Sequence, residues 1–169
     1  LAESVSLIQA PRAWAAGYTG AGQAIAVLDT GVDGTHPFLS GKVVSEACYS
    51  TNGTGVSSLC PGGVTESTAE GSGAACTGMS GCSHGTHVAG IAAGRGTSFS
   101  GVAKDADLIA VQVFSRFDDP DDCGGTAPCL LAYTSDIIRG LERVYALRTT
   151  YQIAAANLSL WGGKYTSNC

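Results

Sequence analysis

The run Ala24-Ile-Ala-Val-Leu28 is apolar at every position, with Gly22 before it and Asp29-Thr30-Gly31 after it. A strand with one wet face alternates polar and apolar residues. A strand without polar positions has both faces covered, as in a parallel sheet flanked by helices. Leu108–Phe114 reads as a second strand of this kind, and Ile153–Leu160 as a third, running into Trp161. Between them the pattern predicts a helix over Thr86–Ala93, ended by Gly94. A longer amphipathic helix is predicted over Leu130–Arg148, with Ile137, Ile138, Leu141, Val144 and Tyr145 on one face. Pro11–Gly17 reads as a short helix with proline in its first turn and glycine as terminator. Strand, helix, strand, helix, strand is the alternation of an α/β fold with right-handed crossovers, here three layers around a mostly parallel sheet. Function in such sheets collects at the carboxyl ends of strands. Asp29, Ser115 and the segment Ser159-Leu160-Trp161 all fall there.

With 169 residues, 44% of them hydrophobic and 14% charged, the chain fills one core and is not a disordered composition. Its 24 glycines favour tight turns and close backbone packing. Nine basic against 14 acidic side chains give a formal charge of -5 without any basic cluster. Nucleic acid and anionic membrane are therefore poor partners. No apolar run approaches the ~20 residues of a membrane-spanning helix. The opening Leu1–Trp14 lacks the basic and apolar regions of a signal peptide.

Seven cysteines stand at 48, 60, 76, 82, 123, 129 and 169. None forms a C-x-x-C pair, which disfavours zinc knuckles and dithiol redox chemistry. Cys76 and Cys82, and likewise Cys123 and Cys129, bracket short glycine-bearing loops; Cys48 and Cys60 bracket a longer one. Local disulfides formed in an oxidising compartment explain this spacing best, although spacing alone does not select among the pairings. Cys169 is left over, and a partner beyond the last residue is expected. Residues 46–83, rich in Gly, Ser, Thr and Cys, read as a long inserted surface loop with a short hairpin.

Two motifs carry chemistry. The first places Asp29 at the end of a buried strand, in D-T-G; half of such aspartates only cap a turn. The second places His84 at the first turn of a small-residue helix, in H-G-T-H. His84 and His87 also form an H-x-x-H pair, but no third metal ligand has an obvious spacing.

Together the two motifs resemble the subtilase family of serine proteases. The resemblance runs through residues 8–39, then 83–94 (SHGTHVAGIAAG), 101–114 (GVAKDADLIAVQVF) and 157–163 (NLSLWGG), in the family's order. It implies a subtilisin-like fold, incomplete at its C-terminal side, with residues 1–169 as the N-terminal part of a single catalytic domain. It also implies that Asp29 is the aspartate of an Asp/His/Ser triad, holding one nitrogen of His84 at ~2.7–3.2 Å. His84 is then the general base, and His87 has no triad role. Electrostatics agrees with choosing the first histidine, because a helix N-terminus disfavours the imidazolium. By the same resemblance Ser159, Leu160, Trp161 and Gly162 line a specificity pocket, with a tryptophan where the family has glycine. Ser115, Arg116 and Phe117 match an edge that pairs with extended substrate.

The letters Gly96-Thr97-Ser98 imitate the family's nucleophile motif, but no proline or helix pattern follows. The helix before them rises ~1.5 Å per residue, which puts Ser98 roughly 15 Å from His84, where a nucleophile must come to about 3 Å. Ser98 is therefore a decoy, and the triad serine and oxyanion-hole asparagine are expected beyond Cys169. Family members also bind calcium through an aspartate shortly after D-T-G; Phe38 stands there instead. The run Asp118, Asp119, Asp121, Asp122 is compatible with calcium but reads first as a solvated acidic loop. No metal is assigned and no cofactor is required. Asn52 and Asn157 each begin a glycosylation sequon, the second in a strand expected to be buried. The resulting expectation is a secreted serine endopeptidase acting on polypeptides, whose remaining C-terminal half is its partner, and whose 1–169 portion alone is inactive. The competing reading is a non-catalytic subtilase-like binding module. A nucleotide-binding α/β domain is disfavoured because no phosphate-cradling glycine motif follows the first strand.

Overall fold

The computed structural model describes residues 1–161. Two short helices open it: α1 (Ala2–Leu7), and α2 (Ala10–Ala15) with Pro11 in its first turn, where a missing N–H costs nothing. Strand β1 (Ala24–Asp29) is followed by β2 (Val43–Tyr49), β3 (Val56–Ser58), a 3-10 turn at Pro61–Gly63, and β4 (Glu66–Ser67). Helix α3 (His84–Ala93) leads to β5 (Asp107–Gln112), β6 (Ser115–Phe117) and β7 (Cys129–Leu131). The described part closes with α4 (Thr134–Leu147) and β8 (Ile153–Asn157).

The main sheet has the order β4-β2-β5-β1-β8 and is parallel except for β4. β1 lies between β5 and β8, so its edges are paired and its faces are covered, as the unbroken apolar run predicts. Ala26, Leu28, Ile109 and Val111 face one way, onto Val144 and Leu147 of α4. Val27, Leu108 and Ala110 face the other way, onto Ala89 and Ala93 of α3. The result is three layers: α4, sheet, α3. Small residues set the layer spacing. A Cβ at Gly140 would meet Leu28 Cδ2 at 3.0 Å and Val113 Cγ1 at 3.1 Å, so α4 sits closer to the sheet than an alanine there would allow.

Four readings need correction. The segment taken as an insertion over 46–83 begins inside β2, a strand of the main sheet parallel to β5; Ala47 and Cys48 are fully buried there. Ser45 and Glu46 interrupt the apolar pattern and hide the strand. The long helix starts at Thr134, because Leu130 and Leu131 belong to β7. Its buried line is Asp136, Gly140, Val144 and Leu147, with Ile137 half-buried; Ile138, Leu141 and Tyr145 face outward. Finally, β8 ends at Asn157, and its three central alanines are exposed.

Three disulfides join Cys48 to Cys60, Cys76 to Cys82 and Cys123 to Cys129. Cys169 lies outside the described residues. A second, three-stranded antiparallel sheet, β3-β6-β7, stands beyond the carboxyl end of β5.

Candidate active site

Asp29 ends β1 and is fully buried. Its Oδ1 accepts the Thr30 backbone N–H at 2.7 Å, and both carboxylate oxygens approach His84 Nδ1, at 2.7 and 2.9 Å. A carboxylate only accepts hydrogen bonds, so the tautomer that satisfies this contact is the one with its proton on Nδ1, which leaves Nε2 to carry the lone pair when the ring is neutral. The His84 side chain is 48% exposed, so it faces accessible space on one side and the buried carboxylate on the other. Chemically this is an imidazole oriented through Nδ1 by a buried carboxylate on a side chain that remains accessible.

The short motifs around these two residues also have physical work. Thr30 Oγ1 donates to Cys82 O at 3.1 Å and accepts from Gly85 N at 3.0 Å, tying the end of β1 to the start of α3. Gly31 has φ 88°, and a Cβ on it would strike Ala74 O at 2.1 Å. A Cβ on Gly85 would lie 2.3 Å from Gly31 O. Thr86 Oγ1 accepts the Asp33 N–H at 2.9 Å. The aspartate and histidine were legible in the sequence as chemistry. Thr30, Gly85 and Thr86, which hold them together, were not singled out, although they sit inside the same motifs. The neighbouring Asp33 carboxyl is held below its ordinary 3.8, chiefly by the Thr35 hydroxyl.

His87, one turn on, does not share this arrangement. It lines a cleft of about 1700 Å³ with Val32, Phe38, Leu39 and Ile91. Among the described residues no three His, Cys, Asp or Glu side chains gather as a metal site. In the acidic loop Asp118 pairs with Arg116 at 2.7 Å, and Asp119 Oδ1 accepts the Asp121 N–H at 2.9 Å. The position where the family implies a calcium-binding aspartate holds the Phe38 ring. It packs 5.2 Å from the Phe99 ring and occupies the space over Gly94 and Gly96. An aromatic ring supplies no oxygen donor, so these residues do not fit calcium at that point.

Ser98 lies exposed in the turn between the bridged residues Arg95 and Ser100, beyond the far end of α3. The ten residues of that helix separate it from His84 by roughly 15 Å. Ser159 and Trp161 are exposed and Leu160 is half-buried. They follow Asn157, which pairs with Val27, so the chain emerges beside the Asp29 end of β1. Gly162 lies outside the described residues.

The edge reading for Ser115, Arg116 and Phe117 is corrected by the topology. These residues form β6, which hydrogen-bonds β3 on one side and β7 on the other, so neither edge is free for a peptide. Of the two outer strands of this small sheet, β3 has its outer side bonded to Asn52 and Gly53, whereas β7 pairs only with β6 among the described residues and offers the open edge.

Comparison with known proteins agrees with the fold and the motifs. The subtilase family profile matches residues 20–127. Thermitase of Thermoactinomyces vulgaris is 37% identical over 112 residues, which is 64% of this chain and 32% of that protein. Subtilisin Savinase of Lederbergia lenta is 40% identical over 111 residues, 64% of this chain and 32% of that protein. The major intracellular serine protease of Bacillus subtilis (strain 168) is 32% identical over 115 residues, 67% of this chain and 30% of that protein. The chain belongs to the subtilase family of serine proteases. It spans about a third of the length of these relatives.

Proposed function

We propose that this chain supplies the aspartate and histidine of an Asp/His/Ser triad, in a serine endopeptidase that hydrolyses polypeptides. The observation that carries the reading is the contact of His84 Nδ1 with the buried Asp29 carboxylate at 2.7 Å, on a His84 side chain that stays 48% exposed. In this reading His84 Nε2 takes the proton of a serine hydroxyl as the oxygen attacks the scissile carbonyl. It then returns that proton to the leaving amine, and Asp29 stabilises the imidazolium between the two steps. The serine and the oxyanion donors belong to a C-terminal portion that docks on the β8 side. Supporting that docking, β8 pairs only with β1 among the described residues, and Leu158 and Trp161, which follow it directly, are exposed apolar side chains. An extended substrate lies along the open edge of β7, with Ser159, Leu160 and Trp161 lining its other side. The chemistry needs no metal or cofactor. The three disulfides favour a secreted protein.

The test is His84→Ala in the full-length protein, followed by peptide hydrolysis. The expected loss in kcat is about 10⁴-fold or more, the scale seen when triad members of serine proteases are removed. Unchanged hydrolysis refutes the assignment. A wild-type protein that binds peptide without cleaving it supports the binding-module alternative instead.

A further inference from the structure

Asp136 is a buried carboxylate, 2% exposed, that the triad does not use. It sits in the first turn of α4 and accepts a hydrogen bond from Thr51 Oγ1 at 2.8 Å. From Thr51 a chain of hydrogen bonds runs into the small sheet. Thr51 N donates to Ser115 Oγ at 2.9 Å, and Ser115 Oγ lies 2.8 Å from Ser50 Oγ. Ser50 Oγ also bonds Phe114 O at 2.8 Å and accepts Leu59 N at 3.0 Å. One assignment of protons satisfies every member. Ser115 donates to Ser50, Ser50 donates to the Phe114 carbonyl, and Thr51 donates to Asp136. Ser50 and Ser115 are fully buried, so a network complete in this way has one arrangement and is costly to break.

Both ends of this network lie at the C-terminal end of β7. Ser115 is the register partner of Leu131 in β7. Asp136 lies five residues after Leu131 on the same chain, at the start of the helix that β7 leads into. The far end of β7 is fixed separately, by the disulfide from Cys129 to Cys123. We propose that Thr51 and Asp136 are positioning residues for the open β7 edge, and that their hydrogen bond selects for extended peptides over short ones. The proposal rests on the protease reading and on β7 as the docking edge. Arg139, which approaches Asp136 at 3.9 Å and also pairs with Glu66, offsets part of the buried charge.

The consequence is a division between substrates. A short ester substrate occupies only the region of His84, whereas a tetrapeptide amide also lies along β7 and feels its position. In the full-length protein, Thr51→Val removes the hydroxyl at nearly constant volume. It is expected to raise KM for the tetrapeptide about tenfold while leaving kcat/KM for the short ester unchanged. Thr51→Ser is expected to restore tetrapeptide cleavage, and Asp136→Asn, which retains an oxygen for Thr51, to keep most of it. Equal losses on both substrates mean that the network only holds the fold, and overturn the proposal. So does an unaltered ratio in Thr51→Val, or a Thr51→Ser variant that behaves like the valine. A wild-type protein that cleaves neither substrate overturns the protease reading as well, and is distinguishable from these outcomes.

Discussion

The helix bearing His84 touches β1 through a glycine, and adding one methyl group there tests whether that contact sets the catalytic geometry. A Cβ at position 85 would fall 2.3 Å from Gly31 O and 3.1 Å from both Asp29 Cβ and Asp29 Oδ1. Carbon–oxygen contacts relax at about 3.3 Å, so Gly85→Ala requires a separation of about 1 Å between α3 and the end of β1. The main obstruction is a backbone carbonyl, which cannot rotate aside as a side chain can. That opening lengthens the 2.7 and 2.9 Å approaches of His84 Nδ1 to Asp29 beyond hydrogen-bonding range. It also strains the bond from Gly85 N to Thr30 Oγ1. Overpacking of this kind costs about 1–3 kcal/mol of stability. A displacement of about 1 Å at reacting groups costs about 10²-fold in rate. The assay is kcat/KM for peptide hydrolysis by the full-length protein, read beside its thermal midpoint and the NMR resonance of the His84 Nδ1 proton. Gly53→Ala is the control, since a Cβ there meets nothing within 4 Å. If Gly85→Ala retains kcat/KM within about twofold and an unshifted Nδ1 proton, the reasoning is refuted, whatever happens to the midpoint.

Two further outcomes follow from the packing and the charges. Gly94→Ala places a Cβ 1.9 Å from Phe38 Cε1 and 2.6 Å from Gly90 O, and is expected to destabilise by about 1–3 kcal/mol. In a double-mutant cycle by chemical denaturation, Phe38→Ala is expected to relieve part of that cost; strict additivity would contradict the contact. Lys42 donates to Lys104 O and Ala106 O, and desolvation by burial holds its ammonium below the usual 10.5. Between that lowered value and 10.5 the unfolded chain keeps a proton that the folded chain has released, so folding stability rises with pH there. Lys42→Gln is expected to lack this rise, measured as the difference between the two proteins' unfolding free energies across alkaline pH. A difference that stays flat counts against the burial argument.

Legibility in the sequence followed the range of the interaction. β1 and β5 were readable because residues buried on both faces leave an unbroken apolar run, a local signal. β2 was not, because Ser45 and Glu46 are only half-buried and look like loop residues until their pairing with β5 is known. The start of α4 was misplaced because Leu130 and Leu131 continue the apolar spacing of the helix while lying in a strand. Non-local pairing explains the error at Ser115–Phe117: the resemblance placed a peptide edge there, but β3, from a segment nearly sixty residues earlier, already covers one side and β7 the other. The candidate site divides in the same way. Asp29 and His84 carry recognisable chemistry in short motifs. The Thr51–Asp136 bond joins residues 85 apart and leaves no trace in local pattern.

The central claim is that His84 is the base for a serine outside residues 1–169, and that Ser98 is not its partner. A phosphonate reagent for activated serines, applied to the full-length protein and mapped by mass spectrometry, tests it most directly. The account predicts one labelled serine outside these residues, labelling at least about 10³-fold slower in His84→Ala, and no label on the isolated chain. Stoichiometric labelling of Ser98, or a rate indifferent to His84, would contradict it.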